Sequence, residues 1–244
     1  MKTLKNTITI LILVFTISCS KNDEPTTLTT TSVVDDVVSL LTKTVDSDDG
    51  LTSTYTYDNS RRLINFKRTA VGNNPVKNQN FTYNTDGLLD QITTVSDGSI
   101  ISKNFYDTDK KLVKKEERNG IDIFNYTYLG NQVTEKYAFN GVATWIQVYI
   151  YNTIGNVLEL KSYDQITAAN PNGNLSGTFI YTYDDKKSSS KSLPKEYLFP
   201  KSNVNNVVTE KYNSGAVYTN NYEYTEKGYP SKRISNYTRT FEYQ

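Results

Sequence analysis

The chain of 244 residues has no histidine and only one cysteine, one tryptophan and one methionine. Without histidine, the usual Ser–His and Cys–His catalytic pairs and His-ligated zinc sites are excluded. The sequence also lacks the G-x-x-x-x-G-K-S/T and G-x-G-x-x-G motifs that bind phosphate groups. We therefore predict no catalytic residue, no metal site and no cofactor.

The chain also has no large excess of positive or of negative charge. The chain has 27 Lys and Arg against 26 Asp and Glu, and the two signs are interspersed. Proteins that bind nucleic acid usually carry a basic patch or stripe. The balance here predicts no nucleic-acid partner.

Acidic clusters give little evidence of chemistry. Asp46-Ser-Asp-Asp-Gly50 lacks the 12-residue frame and the terminal Glu of a calcium loop, so it indicates a hairpin turn. Glu116 and Glu117 lie in a run of mixed charge, which is typical of a solvated strand end. Neither cluster provides the defined carboxylate pair that a glycoside hydrolase needs.

Tyrosine is abundant, with 20 residues, and recurs in a repeated pattern whose clearest copy runs from Phe81 to Leu89. Phe81 and Tyr83 are two apart and share one face of a strand. Asn84 can start a type I turn through its side chain, and Gly87 can adopt the positive φ that closes it. This stretch predicts the tip of a β-hairpin.

Less regular copies of this tip follow along the chain. They begin at Tyr55, Phe105, Tyr126, Tyr149, Tyr181, Tyr222 and Phe241. A longer echo, Val133-Thr-Glu-Lys-Tyr137, reappears as Val208-Thr-Glu-Lys-Tyr212. Such self-similarity indicates a repeat architecture.

A second kind of turn separates the tips. It occurs at Asp49-Gly50, Asp97-Gly98, Asn119-Gly120, Asn140-Gly141 and Ser214-Gly215, each of which fits a two-residue hairpin loop. The two turn types alternate about 8 residues apart, which is one ordinary strand. We predict an all-β fold: an antiparallel meander of about 16 strands, curled or closed into a barrel-like sheet with the aromatic residues inside.

The N-terminus has the pattern of a secretory signal. Lys2 and Lys5 precede an apolar run from Ile8 to Ile17, which is too short to span a bilayer. Thr16-Ile-Ser-Cys19 resembles a lipobox, with Thr16 where leucine is usual. We predict a lipoprotein signal peptide over 1–18, lipidation of Cys19, a polar tether over 19–31 and one β-meander domain over 32–244; the alternative for Cys19 is a small buried residue.

Ser20 to Glu24 is similar to the acidic export signal that sends lipoproteins to the outer face of the outer membrane. We therefore predict a lipid-anchored outer-membrane protein exposed at the cell surface. The alternative is an ordinary polar tether, with the protein on the periplasmic face. A membrane barrel needs a band of apolar residues facing the lipid, and the polar residues on one face of the strands are inconsistent with such a band. We therefore expect an anchored domain outside the bilayer rather than a porin.

The tip pattern Y-x-Y-D-x-x-G-x-L resembles the YD repeat of Rhs-type proteins, although no copy here is perfect. Together with the N-terminus, the whole chain resembles Bacteroidota-type surface lipoproteins with YD-like repeats. That resemblance implies a porin-like fold and a protein of unknown activity. It implies no functional residue except the lipidated Cys19.

The sequence also makes predictions for two longer connections and for the first strand. The segments 162–177 and 184–206 are expected to be surface insertions, which are either tolerated decoration or binding loops. A short helix or turn from Ser32 is expected to lead into a first strand near Leu40–Val45.

Trp145, Tyr149 and Tyr151 lie at alternating positions of one predicted strand. Their rings would form an aromatic platform for a sugar or a peptide, or they pack within the sheet. We predict a non-catalytic binding or structural module with a glycan or protein ligand. The alternatives are a subunit of an outer-membrane assembly and a glycan-active enzyme that uses two carboxylates.

Overall fold

The computed structural model describes residues 38–70 and 75–244. The predicted signal peptide, Cys19, the tether and the expected helix from Ser32 lie outside the described residues. Within the described part, no helix is long and apolar enough to cross a bilayer.

The described chain is almost entirely β-structure. Its strands are β1 (Leu41–Asp46), β2 (Thr52–Tyr57), β3 (Leu63–Thr69), β4 (Pro75–Tyr83), β5 (Leu89–Thr94), β6 (Ile100–Tyr106), β7 (Leu112–Glu117), β8 (Asp122–Leu129), β9 (Gln132–Phe139), β10 (Val142–Tyr151), β11 (Val157–Asp164), β12 (Asn174–Lys187), β13 (Asn205–Tyr212), β14 (Val217–Thr219), β15 (Asn221–Tyr224), β16 (Pro230–Ile234) and β17 (Thr238–Tyr243). Short 3-10 turns occupy Arg118–Gly120 and Ser189–Ser192, and one helical turn, α1, spans Lys195–Leu198.

The 17 strands form one antiparallel sheet, which confirms the predicted meander. Strand β1 pairs with β2 and also with β17, where Thr44 lies opposite Phe241. The pairing of the first strand with the last therefore makes the sheet a nearly closed barrel. The predicted first strand is also confirmed, to within one residue at each end.

In the regular hairpin tips, the side chain of the residue that follows the second aromatic residue closes the turn. Asn84 Oδ1 accepts hydrogen bonds from Asp86 N and Leu88 N, both at 3.0 Å, and Gly87 has φ +77°. Asp107 and Asn152 accept the same pair of bonds in their own tips. The turn chemistry predicted for this motif is confirmed.

The second class of turns is less uniform than predicted. Both residues have positive φ at Asn119-Gly120 and at Asn140-Gly141. At Asp49-Gly50 and Asp97-Gly98 only the glycine does, because each aspartate Oδ1 instead accepts the backbone N–H two residues on. At Ser214-Gly215 neither residue does, and the positive φ falls on Asn213.

Tyrosine hydroxyls join neighbouring repeats. The second aromatic of a tip donates to a carbonyl at the start of a strand in the preceding repeat, as Tyr83 does to Leu63 O at 2.7 Å. The same bond recurs from Tyr57 to Leu41, Tyr106 to Leu89, Tyr128 to Leu112 and Tyr183 to Val157. A buried hydroxyl needs such a partner, so the repeat supplies one at each step.

The barrel interior is filled by the segment 188–204, here called the plug. Leu193 and Tyr197 of the plug pack on a core cluster of Leu63, Phe66, Phe81, Leu89 and Ile92. Phe199 packs on a second cluster around Tyr126 and Tyr149. The expectation that 184–206 is a surface insertion is therefore wrong for its central part.

The physical reason is the width of the barrel. Side chains from about 8 strands just fill a barrel, whereas those of 16–18 leave a channel. Here the plug fills part of that space, and some of its polar groups bond to the wall. Leu41 N donates to Ser192 Oγ at 3.1 Å, and Tyr151 OH donates to Pro200 O at 2.5 Å.

The other connection, 162–177, is largely absorbed into β11 and β12. Only residues 165–173 form a loop between them, and Ala168 and Ala169 at its tip are exposed. This segment lies at the surface, as expected.

Candidate functional site

Between the plug and the C-terminal strands lies a chamber with a volume of about 770 Å³. Pockets that bind small ligands typically measure about 300–1,000 Å³. Its polar and aromatic lining includes Asn203, Glu210, Asn220, Tyr222, Arg233 and Tyr237. A recess of about 170 Å³ continues past Lys201 and Asn203 to Tyr181 and Tyr183.

A break in the wall accompanies the chamber. Strand β13 pairs with β14, and β15 pairs with β16, with Asn220 between β14 and β15. No ladder joins β13 to β15 in the described chain. Instead Asn220 Nδ2 and Tyr222 OH both donate to Val207 O at 3.0 Å. One main-chain bond, from Asn220 N to Val208 O at 2.8 Å, also crosses this point, so side chains supply only part of the contact that a regular ladder would make.

Two arginines face each other across β16 and β17. Arg233 lies directly opposite Arg239, and like charges in that position repel each other. Arg239 is neutralised by the buried Asp46, with Nε–Oδ1 2.5 Å and Nη2–Oδ2 2.9 Å. Arg68 Nη2 lies 3.4 Å from the same carboxylate.

Arg233 has a different environment. Its guanidinium carbon lies 4.9 Å from the ring centroid of Tyr237. Its Nε is buried and has no hydrogen-bond partner. Among the described residues no carboxylate forms an ion pair with Arg233, so this cation faces the chamber without a counter-ion.

Glu210 is the repeat equivalent of Glu135, since each is the glutamate of a Val-Thr-Glu-Lys-Tyr echo. Glu135 is buried and accepts hydrogen bonds from Tyr126 OH at 3.0 Å and Tyr149 OH at 2.9 Å. Burial raises the pKa of Glu135 despite these two bonds, which lower it. Glu210 instead lines the chamber.

Burial raises the pKa of Tyr222 to about 12, and it also raises the pKa values of Tyr181 and Tyr183, so these three hydroxyls are neutral near pH 7. The chamber thus offers hydroxyls, amides, the guanidinium of Arg233, the ammonium of Lys201 and one carboxylate. This set can hold a polar ligand in place by hydrogen bonds and charge.

The three aromatic residues predicted as a platform share one face of β10, but their surroundings differ. Tyr149 is 2% exposed and Tyr151 donates to the plug at Pro200 O, so both belong to the core. Trp145 stacks on Tyr137, with ring centroids 5.0 Å apart. It lines an apolar groove of about 430 Å³ beside Ile166.

Sequence analysis missed the chamber. The amide-rich run Asn203-Val-Asn-Asn206 marks one wall, and it spans the end of the plug and the start of β13. The other signal is the hairpin of β16 and β17, whose short loop places Arg233 opposite Arg239. Neither signal could be placed inside a barrel before the position of the plug was known.

In the described residues, no group of three or more His, Cys, Asp or Glu side chains is arranged to hold a metal ion.

No family model matches the chain, and no curated protein does. Among solved structures, a porin-like protein from Bacteroides uniformis matches with a TM-score of 0.53 and 14% identity, covering 83% of this chain and 95% of that one. This likeness shows a shared fold.

Two further matches have lower TM-scores. A porin-like protein from Bacteroides vulgatus gives 0.45 at 10% identity, covering 84% of this chain and 99% of that one. The TcdB2–TccC3 structure gives 0.37 at 14% identity, covering 71% of this chain and 10% of that one.

Proposed function

We propose that this chain is a non-catalytic binding module of the outer membrane and that its interior chamber takes a saccharide. The observation that carries the proposal is the 770 Å³ chamber lined by asparagines and tyrosines. Amides and phenol hydroxyls donate and accept hydrogen bonds, as sugar hydroxyls do. Aromatic faces provide surfaces on which the C–H faces of a sugar ring can pack.

The lining supports binding rather than hydrolysis. Glycoside hydrolysis generally needs two carboxyl groups about 5–10 Å apart. Among the described residues that line the chamber, Glu210 is the one carboxylate.

A lipid on Cys19 would hold the module at the outer membrane, facing the cell surface. The apolar run from Ile8 to Ile17 and the lipobox-like Thr16-Ile-Ser-Cys19 support this part of the proposal. We expect the intact mass of the mature protein to include acyl groups on Cys19. We also expect a Cys19→Ser variant to be lost from the membrane fraction, and a mature protein without acyl groups would refute the anchor.

The binding proposal is tested with the full chain on a glycan array that includes neutral and acidic oligosaccharides. Asn236 lines the chamber and is exposed, so Asn236→Trp should block the site. We expect specific binding that is lost in this variant. The control Asn59→Trp, in an exposed turn remote in sequence from the chamber, should bind normally, and an array without hits would refute the proposal.

One observation favours a second candidate, a subunit of an outer-membrane assembly. The groove at Trp145 is largely apolar, and the neighbouring Phe139 and Val142 are 43% and 68% exposed. Exposed apolar patches often mark protein contacts. If this function holds, Val142→Glu should abolish co-purification of a partner protein, whereas an array hit in the chamber should be unaffected.

A further inference from the structure

We propose that the ligand of the chamber is an acidic saccharide and that Arg233 binds its carboxylate. This inference rests on the proposed function, because it names the class of saccharide that the same chamber takes. It starts from Arg233, which lines the chamber together with Lys201 and Arg239, forms no ion pair among the described residues and has no hydrogen-bond partner at its Nε.

The position of Arg233 is unfavourable unless an anion is present. It stands directly opposite Arg239 on the neighbouring strand. Arg239 has its own carboxylate in Asp46, which binds both Nε and Nη2. Asp46 is also shared with Arg68, so its oxygens are already committed. Arg233 is half-buried, and its Nε is buried without a partner, which costs free energy. An incoming carboxylate would offset the repulsion between the two guanidinium groups.

The orientation of Arg233 suits a carboxylate. The Nε and Nη groups of a guanidinium form a planar fork that binds both oxygens of one carboxylate. Here the plane is held by the ring of Tyr237 at 4.9 Å. Nε is buried, so a ligand in the chamber meets the edge formed by the two Nη groups, which form no hydrogen bond with the described residues.

The other polar groups of the chamber suit the hydroxyls of the same sugar. Asn220 uses its amide nitrogen for Val207 O, which leaves its Oδ1 as an acceptor. Asn203 uses its Oδ1 for Val157 N and Tyr183 OH, which leaves its amide nitrogen as a donor. Glu210 lines the same chamber and would repel a second carboxylate. This favours a ligand with one acidic group in the chamber.

The test compares matched ligands by calorimetry on the full chain. The probes are galacturonate disaccharides of one galacturonic acid and one neutral sugar, the same disaccharides after reduction of the carboxyl group, and a sulfated disaccharide. Losing a hydrogen-bonded charge costs roughly 10- to 100-fold in affinity, and we expect that loss on carboxyl reduction. Equal affinity for both forms would overturn the inference while leaving the proposed function intact.

Three variants separate the role of Arg233 from folding. Arg233→Gln should bind galacturonates about as weakly as the wild type binds the reduced probes. Arg233→Lys keeps the charge without the fork and should lie between the two. Lys232→Gln is the control, because Lys232 is the next residue on the strand and pairs with Glu223 on the opposite face.

Folding is checked by thermal unfolding. Since Arg233 has no carboxylate partner, Arg233→Gln should unfold no earlier than the wild type. If this folded variant binds galacturonates at wild-type affinity, the inference is wrong. Binding confined to the sulfated probe would overturn the carboxylate assignment, and binding of no saccharide at all would refute the proposed function as well.

Discussion

At the scale of single residues, the regular hairpin tips depend on one side-chain acceptor and one residue with positive φ. Gly87, Gly155 and Gly228 occupy the second position with φ of +77°, +96° and +77°. In two tips the same position holds Arg61 (φ +64°) and Lys110 (φ +62°). For a residue with a Cβ, this conformation costs about 1 kcal/mol.

Lys110→Gly should therefore stabilise the protein by about 0.5–1 kcal/mol. The ion pair that it loses, with Asp86, is exposed and contributes little. Urea unfolding measures the change. The control is Lys111→Gly in the same turn, where φ is not positive and glycine should destabilise by a similar amount; equal effects of the two variants would contradict the argument.

Glu135 predicts how stability depends on pH. Burial raises its pKa above the ordinary value of 4.5 in the folded state, so folding favours the protonated carboxyl. The contribution of Glu135 to stability is thus fully present below pH 4.5 and is lost as pH rises through the raised pKa. Glu135→Gln, which cannot ionise, should remove this loss and make the protein more stable than the wild type at pH 8.

Unfolding free energies measured between pH 4 and pH 8 test the sign. The difference between variant and wild type should grow as pH rises. Glu242→Gln is the control, because Glu242 is exposed at the β1–β17 seam. A difference that stays constant with pH would mean that Glu135 does not titrate differently in the folded state.

At the scale of elements, the plug is part of the core. Its aromatic residues extend both core clusters, and Phe199 lies 5.1 Å from Tyr126 between ring centroids. Its sequence is rich in serine and lysine; the lysines are exposed, whereas Ser188, Ser190 and Ser192 bond to the wall or within the plug. Ser190 Oγ, for example, donates to Asn203 O at 3.1 Å.

Phe199→Ala should destabilise the protein by about 3 kcal/mol, because it removes a large ring from inside the barrel and leaves a cavity. Phe139→Ala is the matched control, since Phe139 is 43% exposed at a strand end. That control should cost much less in a urea titration. Similar losses for the two variants would mean that the plug contributes little to the core.

At the scale of the whole molecule, the decisive contact joins the two ends of the sheet. Strand β1 pairs with β17 over Leu41 to Asp46, and Arg239 binds Asp46 at one end of that seam. Closure removes the exposed edges that an open sheet of this length would have. It also encloses the plug and the chamber.

Arg239→Gln should destabilise the protein by about 3 kcal/mol, because it leaves the buried Asp46 with only the more distant Arg68 as a counter-ion. Lys43→Gln is the control at the same seam, where Lys43 and Glu242 form an exposed pair. An exposed pair contributes at most about 1 kcal/mol. If chemical denaturation shows equal losses for both variants, the seam does not depend on Asp46.

The sequence by itself determined the local features of this protein. Alternating aromatic residues indicate the strands, and Asn84 and Gly87 indicate the turn between two of them. Both features can be predicted from sequence because the interactions involved act over only a few residues. The antiparallel meander follows from their succession. The same reasoning failed at Asp49-Gly50, where an aspartate side chain bonds the backbone and changes the turn.

Only the tertiary structure decided what lies inside. The segment 184–206 carries Leu193, Tyr197 and Phe199 among polar residues, but the place where these side chains are buried depends on the width of a lumen made by strands far apart in the chain. The pairing of β1 with β17 sets that width, and the plug then fills part of the space. The chamber at Arg233 is the part that the plug leaves open, so it could not be predicted from local pattern.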